Sequence, residues 1–461
     1  MWTSIETIAA ISTPPGEGGI GIIRISGAQA LPTAMKILRI PGLKNQTMKP
    51  RVVYHGYVMD PVAFKKVDEV ICFYFQAPHS YTGEDIVEIQ THGGIVVLQN
   101  VLTMLLDQGV TAAEAGEFTK RAFLNGRLDL TQAEAVMDLI QANSSAGAAQ
   151  AMNQLDGLLG RFIRKAITRI LHLIASIEVS LDFPEDYDAL DSDAMLQVLD
   201  DLMAQLQELA DTAQQGRIIR QGLKVVIAGR PNVGKSSLLN SLLGEDRAIV
   251  TARAGTTRDV LEERLQLEGI VVRLIDTAGL HESEDEIEQL GMARTRAAIE
   301  SADLVLWVMD ANEVLQPEDY ELAEMIRKRS MIPVMNKTDL SDGRELAESL
   351  HRLGIPHRPV FIAAAQGQGL GDLREAIRQE VFSGKAVANN QPVLTKLWHQ
   401  EKVAKAMEQL LLCKTAVESH WPEDCYVIHL RDAYLALASI VGETASEDII
   451  QTIFEQFCVG K

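Results

Sequence analysis

The chain has little cysteine: four residues in 461, Cys72, Cys413, Cys425 and Cys458, scattered without C-x-x-C spacing. That argues against both a disulfide framework and a zinc ribbon. No apolar run reaches membrane-spanning length and the start does not read as a signal peptide, so a soluble, cytoplasmic protein with no membrane partner is expected. Basic residues are also scarce, 43 against 63 acidic, a formal charge of −20. Such a balance argues against extended, charge-driven binding of nucleic acid, so any RNA contact has to use a local basic patch or a partner's surface. The rest is ordinary globular composition, 47% hydrophobic and 23% charged. The length suits about two to four domains with a large core.

What is present is a set of nucleotide motifs in a fixed order. GRPNVGKS (Gly229–Ser236) fits G-x-x-x-x-G-K-[ST] between a β-branched run, VVIAG, and a helix-like SSLLNSLL. In such a loop the amides of Asn232, Val233, Gly234, Lys235, Ser236 and Ser237 cradle phosphates. Lys235 reaches the β- and γ-phosphates, and the Ser236 hydroxyl ligates Mg²⁺. NKTD (Asn336, Lys337, Asp339) follows the strand-like MIPVM. Asp339 accepts the paired N1–H and N2–H₂ donors of guanine, which adenine lacks, so the nucleotide is GTP. DTAG (Asp276, Thr277, Ala278, Gly279) ends the run VVRLI. Asp276 is expected to hold Mg²⁺ through water, the Gly279 amide to sense the γ-phosphate, and Thr257 in GTTRD to reach Mg²⁺ as the switch threonine. Leu280 stands where Ras-type enzymes have a water-orienting glutamine. Asn232 and the segment Thr251–Thr257 offer carbonyls for a monovalent cation against the phosphates, and Glu288 is a candidate to align the water. The bland alternatives are a turn residue for Asn232 and a solvated acidic helix face for Glu288.

The texture of the chain divides it into four stretches. Residues 1–121 mix short strands (GIGIIRIS, VVYHGYVM, VICFYF, IVEIQTH) with Gly/Pro turns, an α+β domain. Residues 122–221 are helical, with one long helix stopping near Pro184 and a further amphipathic stretch over Ala194–Gln215. Residues 222–384 alternate strand and helix, an α/β P-loop domain of Ras-like kind. After a soft SGKAVANNQP linker, residues 385–461 are helical again. Helices on both sides predict that the nucleotide domain is inserted into one all-α domain.

With these residues in place, the sequence resembles the MnmE (TrmE) tRNA-modification GTPases over nearly its whole length. The carrying stretches are TIAAISTPPGEGGIGIIRISG, SYTGEDIVEIQTHGG, GEFTKRAFLNGRLDLTQAEAVMDLI, the nucleotide motifs and the terminal CVGK (Cys458–Lys461). The resemblance implies a homodimer whose N-terminal domains bind a tetrahydrofolate derivative, in the 5-formyl or methylene form. It implies potassium-stimulated GTP hydrolysis as nucleotide domains approach, and an MnmG (GidA)-type flavoprotein partner in a heterooligomer. The product is an aminomethyl-type group on C5 of the tRNA wobble uridine. Carried over by position, Asn232, Thr251, Arg253 and Thr256 belong to the potassium site and Glu288 to water alignment. Arg24, Glu88, Arg127 and Lys461 match the folate contacts, and Cys458 the cysteine needed for tRNA modification.

Taken singly, Arg24 reads as a surface charge, Glu88 as a solvent-facing strand position, and Cys458 as a small buried thiol. His92 in THGG reads equally as a structural histidine. Two departures stand out. Ala363-Ala364 replaces the usual Ser-Ala of the guanine loop, and Arg253 occupies a position that is commonly apolar. If Arg253 contributes only its carbonyl the change is neutral; a guanidinium folded inward displaces the potassium ion. Two rivals remain. A ribosome-assembly GTPase of the Era/Der kind accounts for the nucleotide domain but leaves residues 1–120 and CVGK without a role. A dynamin-like assembly protein predicts open-ended oligomers.

Overall fold

The computed structural model describes residues 6–43, 47–182, 191–246, 262–267, 269–276, 296–327, 329–355, 358–382 and 391–461. The chain forms two compact units, one of residues 1–137, 154–203 and 402–461 and the other of residues 138–153 and 204–401.

The first unit begins with a seven-stranded sheet: β1 Ile8–Ile11, β2 Gly18–Ser26, β3 Leu38–Arg39, β4 Val53–Met59, β5 Lys66–Phe75, β6 Ile86–Gly93 and β7 Thr111–Ala112. Their order is β3-β4-β5-β6-β2-β1-β7, antiparallel except for β1 with β7. Period-two alternation sends Val70, Cys72 and Tyr74 of β5 and Val87 and Ile89 of β6 into one core. There they meet α1 (Ala30–Ile37) and α2 (Ile95–Asp107). The other face of the sheet carries Arg24 of β2, Ile71 and Phe73 of β5 and Glu88 of β6, and it is on this face that the Arg24–Glu88 pair described below is formed.

The helical part of this unit rests on α6 (Leu158–Asp182), whose Ile163, Ile167, Ile170, Ile174 and Ile177 repeat at helical spacing and are all buried. The helix Glu423–Val441, from the far end of the chain, packs along it, and Arg431 Nη2 meets Glu178 Oε1 at 2.6 Å. Helical stretches from before and after the nucleotide motifs thus share one body.

The second unit holds a six-stranded sheet, ordered β13-β12-β11-β8-β10-β9. Its strands are β8 Leu223–Ala228, β9 Glu262–Leu267, β10 Ile270–Asp276, β11 Leu304–Asp310, β12 Met331–Asn336 and β13 Val360–Phe361. All pairs are parallel except β9 with β10. Every residue of LVLWVMD in β11 is buried. Leu304, Leu306 and Val308 enter one layer and Val305, Trp307 and Met309 the other, as a strand covered on both faces requires. This is a doubly wound α/β fold. Its first strand, β8, lies between β10 and β11 at the switch point, where such folds place their ligand.

One expected element differs. The stretch over Ala194–Gln215 is two helices, α7 Ser192–Asp211 and α8 Ala213–Gln221. Thr212 separates them: its hydroxyl donates to Leu209 O (2.6 Å) and accepts from Leu394 N (3.1 Å), a local backbone bond that competes with helix continuation. The linker at 383–390 lies outside the described residues. Among the described residues no helix is long and apolar enough to cross a membrane.

Candidate functional site

The phosphate loop runs from the end of β8 to the start of α9 (Lys235–Asp246). Its shape needs left-handed backbone at Gly229 (φ +154°), Asn232 (+64°) and Gly234 (+98°). A Cβ on Gly229 would collide with Val308 O, and one on Gly234 with Asn336 Nδ2, so both glycines are required by close approach as well as by φ. Val233 is buried and anchors the loop, whereas Asn232, Ser236 and Ser237 are exposed where an incoming phosphate would meet the first turn of α9. The Lys235 Nζ donates to Gly229 O (2.9 Å) and Arg230 O (2.7 Å), holding its charge over the loop. These features fit the triphosphate of GTP.

The base-recognition segment is wired into the same loop. Asn336, 2% exposed, donates from Nδ2 to Val233 O (2.8 Å) and accepts from Ala364 N on Oδ1 (3.0 Å). Its role is therefore to brace the phosphate loop against the segment around Ala363. The Ala364 amide, in the Ala363-Ala364 loop, is thus occupied by Asn336. Lys337 Nζ pairs with Asp310 Oδ2 at 2.7 Å. Burial raises the Asp310 carboxyl's pKa, but Lys337 and the Asn312 amide outweigh it and hold the group below its ordinary value. Asp339 Oδ2 accepts from Gln366 Nε2 at 3.1 Å, so this carboxylate is already oriented by a neighbour.

Sequence reasoning missed one contact in this loop. Arg230 pairs with Glu313 (2.6 Å) and with the buried Asp319 (2.7 Å), tying the loop to the N-terminus of the helix Pro317–Ile326. GRPNVGKS displays the arginine, but nothing in the sequence identifies acids so far along the chain. Thr251, Arg253, Thr256, Thr257, Thr277, Ala278, Gly279, Leu280 and Glu288 lie outside the described residues, as does the side chain of Asp276. Asp276 itself ends β10, beside β8.

In the first unit, Arg24 on β2 and Glu88 on β6 are register partners, and Arg24 Nε meets Glu88 Oε1 at 2.8 Å. The pair is mostly buried, 15% and 18% exposed, so neither is a plain surface charge. The guanidinium lies 5.4 Å from the Tyr81 ring centroid and 5.6 Å from that of Phe118, and its Nη1 reaches Gly460 O at 3.4 Å.

CVGK docks on this domain of its own chain. Val459 bridges Ala115, Phe118 N donates to Lys461 O (3.2 Å) and Gly116 N to Cys458 O (3.4 Å). Gly460 sits at φ +93°, where a Cβ would strike Ile11 O. Burial, followed by the nearby Arg24, pushes the Lys461 ammonium below its ordinary pKa, with Glu88 opposing. Cys458 is exposed, contrary to the buried thiol expected at the end of IIQTIFEQF, because the turn after Phe457 directs the apolar ring inward and leaves the thiol outside.

Arg127 donates from Nε to Ser80 O (2.8 Å), and both Arg127 and Glu88 line a cavity of about 420 Å³. His92 is a surface residue held by Asp68 at 2.6 Å. Arg121, which the sequence did not single out, is buried and paired with Glu84 (3.1 Å) and Glu117 (2.8 Å). It fastens the GEFTKRAF helix beneath the cavity-lining loop.

A family model described as "MnmE helical domain" matches residues 130–458, and one described as "GTP-binding protein TrmE N-terminus" matches residues 7–127. The tRNA modification GTPase MnmE of Moorella thermoacetica is 44% identical over 460 residues, 99% of each chain. That of Natranaerobius thermophilus is 43% identical over 457 residues, again 99% of each. This chain belongs to the MnmE family. Both regions of an MnmE protein are therefore present, the TrmE N-terminal part with its cavity and the helical part that encloses the nucleotide motifs. Membership removes the reason to prefer the Era/Der reading, which left the N-terminal 120 residues unassigned, and lends the dynamin-like reading no support. The phosphate loop, braced by Asn336, is the candidate GTP site of this chain.

Proposed function

We propose that this chain is a potassium-dependent GTPase that modifies tRNA. As a cytoplasmic homodimer with an MnmG-type flavoprotein, it adds an aminomethyl-type group, carboxymethylaminomethyl or similar, to C5 of the wobble uridine. The observation that carries the reading is the presence of two built sites on one chain. One is a phosphate loop braced by Asn336; the other is a cavity lined by Glu88, whose partner Arg24 also meets Gly460 O of the chain's own CVGK.

Each residue has a definable task. The loop amides and Lys235 bind the phosphates, and Ser236, with Asp276 and Thr257, is assigned to Mg²⁺. Asp339 selects guanine, oriented by Gln366. Asn232, exposed at the loop's rim, is assigned with Thr251, Arg253 and Thr256 to K⁺, and Glu288 to the attacking water. Around the cavity, Glu88 accepts the pterin donors, and Arg24, Arg127 and Lys461 supply cationic contacts to a tetrahydrofolate derivative, which brings the one-carbon unit. Cys458, exposed beside Lys461, is free to act on a substrate or partner.

Nucleoside mass spectrometry of total tRNA from cells lacking the protein tests the reading. C5-aminomethyl-type wobble uridines should vanish and return with a plasmid copy. An unchanged profile, with altered ribosome subunit ratios, would transfer the function to ribosome assembly.

A further inference from the structure

The cavity of the N-terminal domain holds more cationic groups than Glu88 and its partner use. Glu88 is already neutralised by Arg24. Arg51 and His79 line the same cavity, both exposed, and neither side chain has an ion pair or hydrogen bond among the described residues. Arg51 is nevertheless held in place, because its N–H donates to Tyr74 O (2.8 Å) at a left-handed φ of +61°. Among the described residues Arg127 bonds through its Nε alone, to Ser80 O. In a chain of −20 this is a concentration of unpaired positive and hydrogen-donating groups.

The register of β5 and β6 separates the two ends of the cavity. Glu88 lies opposite Phe73, and the next row on the same face pairs Phe75 with Ile86, about 7 Å further along the strands. Arg51, bonded to Tyr74, and His79, just beyond Phe75, lie at that far end. An elongated ligand with its hydrogen-bonding head on Glu88 would therefore lead its tail out past Arg51 and His79.

We propose that Arg51 and His79 form a subsite for the γ-linked glutamate carboxylates of a polyglutamylated folate, so that the site prefers the long-tailed form. The inference rests on the folate reading given above. The match is between two exposed donors that carry no partner of their own and a ligand whose tail adds one carboxylate per unit. Charge-assisted pairs at a half-open rim are worth enough for about a tenfold preference.

The test is calorimetric titration of the full-length protein with 5-formyl-tetrahydrofolate as the mono- and triglutamate, at low and raised salt. The triglutamate should bind about tenfold more tightly, with the difference shrinking as salt rises. Arg51→Gln and His79→Gln should each reduce the triglutamate's affinity more than the monoglutamate's, with melting temperature and GTP turnover as controls for folding. Equal binding of the two folates by the wild type, or equal loss of both in Arg51→Gln, overturns the subsite while leaving the folate reading intact. Failure of either folate to bind the wild type removes the folate reading, and the subsite falls with it. If Arg51→Gln leaves both folates unchanged and instead weakens retention of tRNA on a filter, the arginine belongs to an RNA surface and the proposal is wrong.

Discussion

Asn336 is the residue on which the nucleotide site turns, since one amide group satisfies a carbonyl of the phosphate loop and a backbone N–H of the opposing segment. Replacing it with alanine strands two buried groups, at about 1–3 kcal/mol each. We expect Asn336→Ala to lower the melting temperature by several degrees and to weaken GTP binding even though the side chain is not aimed at phosphate. Unchanged affinity for a fluorescent GTP analogue would show that the brace is dispensable. Asp310 gives the corresponding pH dependence. Its pKa is depressed in the folded chain, so its contribution is complete above the unfolded value near 4 and is lost as pH falls through the lower folded value. A melting-temperature series against pH should therefore drop on the acid side less steeply for Asp310→Asn than for wild type. Much of this was legible: GRPNVGKS and NKTD name the residues. That Asn336 spends both amide ends on protein groups was not, since its partners are a carbonyl and an N–H, which carry no side-chain identity.

Between elements, one ion pair joins the phosphate loop to a helix that no nucleotide motif includes. Asp319 is 2% exposed, faces Arg230, and through its capping box with Gln316 also starts the helix Pro317–Ile326. Removing the cation leaves a buried carboxylate uncompensated, a loss of about 3–5 kcal/mol. Arg230→Gln should thus destabilise the nucleotide unit, and Arg230→Gln with Asp319→Asn together should recover most of the loss. A double variant no better than the single would mean that Arg230 acts through Glu313 alone. The strands themselves were readable, because LVLWVMD and MIPVM are uninterrupted apolar runs and β5 alternates. Pairing was not readable. That Arg24 faces Glu88 across β2 and β6 depends on register, a long-range fact that local periodicity does not encode, and the break at Thr212 rests on a hydroxyl bond to Leu209 O that the apolar pattern does not carry.

Across the whole chain, the two proposed ligand sites lie in different units, and each draws on residues remote in sequence. The last four residues are docked next to the Glu88 end of the first unit's cavity: Arg24, which pairs with Glu88, reaches Gly460 O, and Phe118 N bonds Lys461 O. The nucleotide site depends on Gly234, whose φ and proximity to Asn336 leave no room for a side chain. The two sites should therefore fail separately. Gly234→Ala forces a side chain into left-handed backbone, at about 1–2 kcal/mol before any collision. GTP affinity should fall about tenfold or more, with folate binding intact. A chain ending at Phe457 should do the reverse, losing folate affinity while binding GTP normally. On the proposed function, tRNA modification draws on both sites, so each variant should fail to restore the modified wobble uridine in cells lacking the protein. Equilibrium dialysis with labelled folate and titration with a fluorescent GTP analogue, run on the same two preparations, separate the cases. If Gly234→Ala also abolishes folate binding in a protein whose melting temperature is unchanged, the two sites are energetically one, and GTP state would control folate occupancy directly.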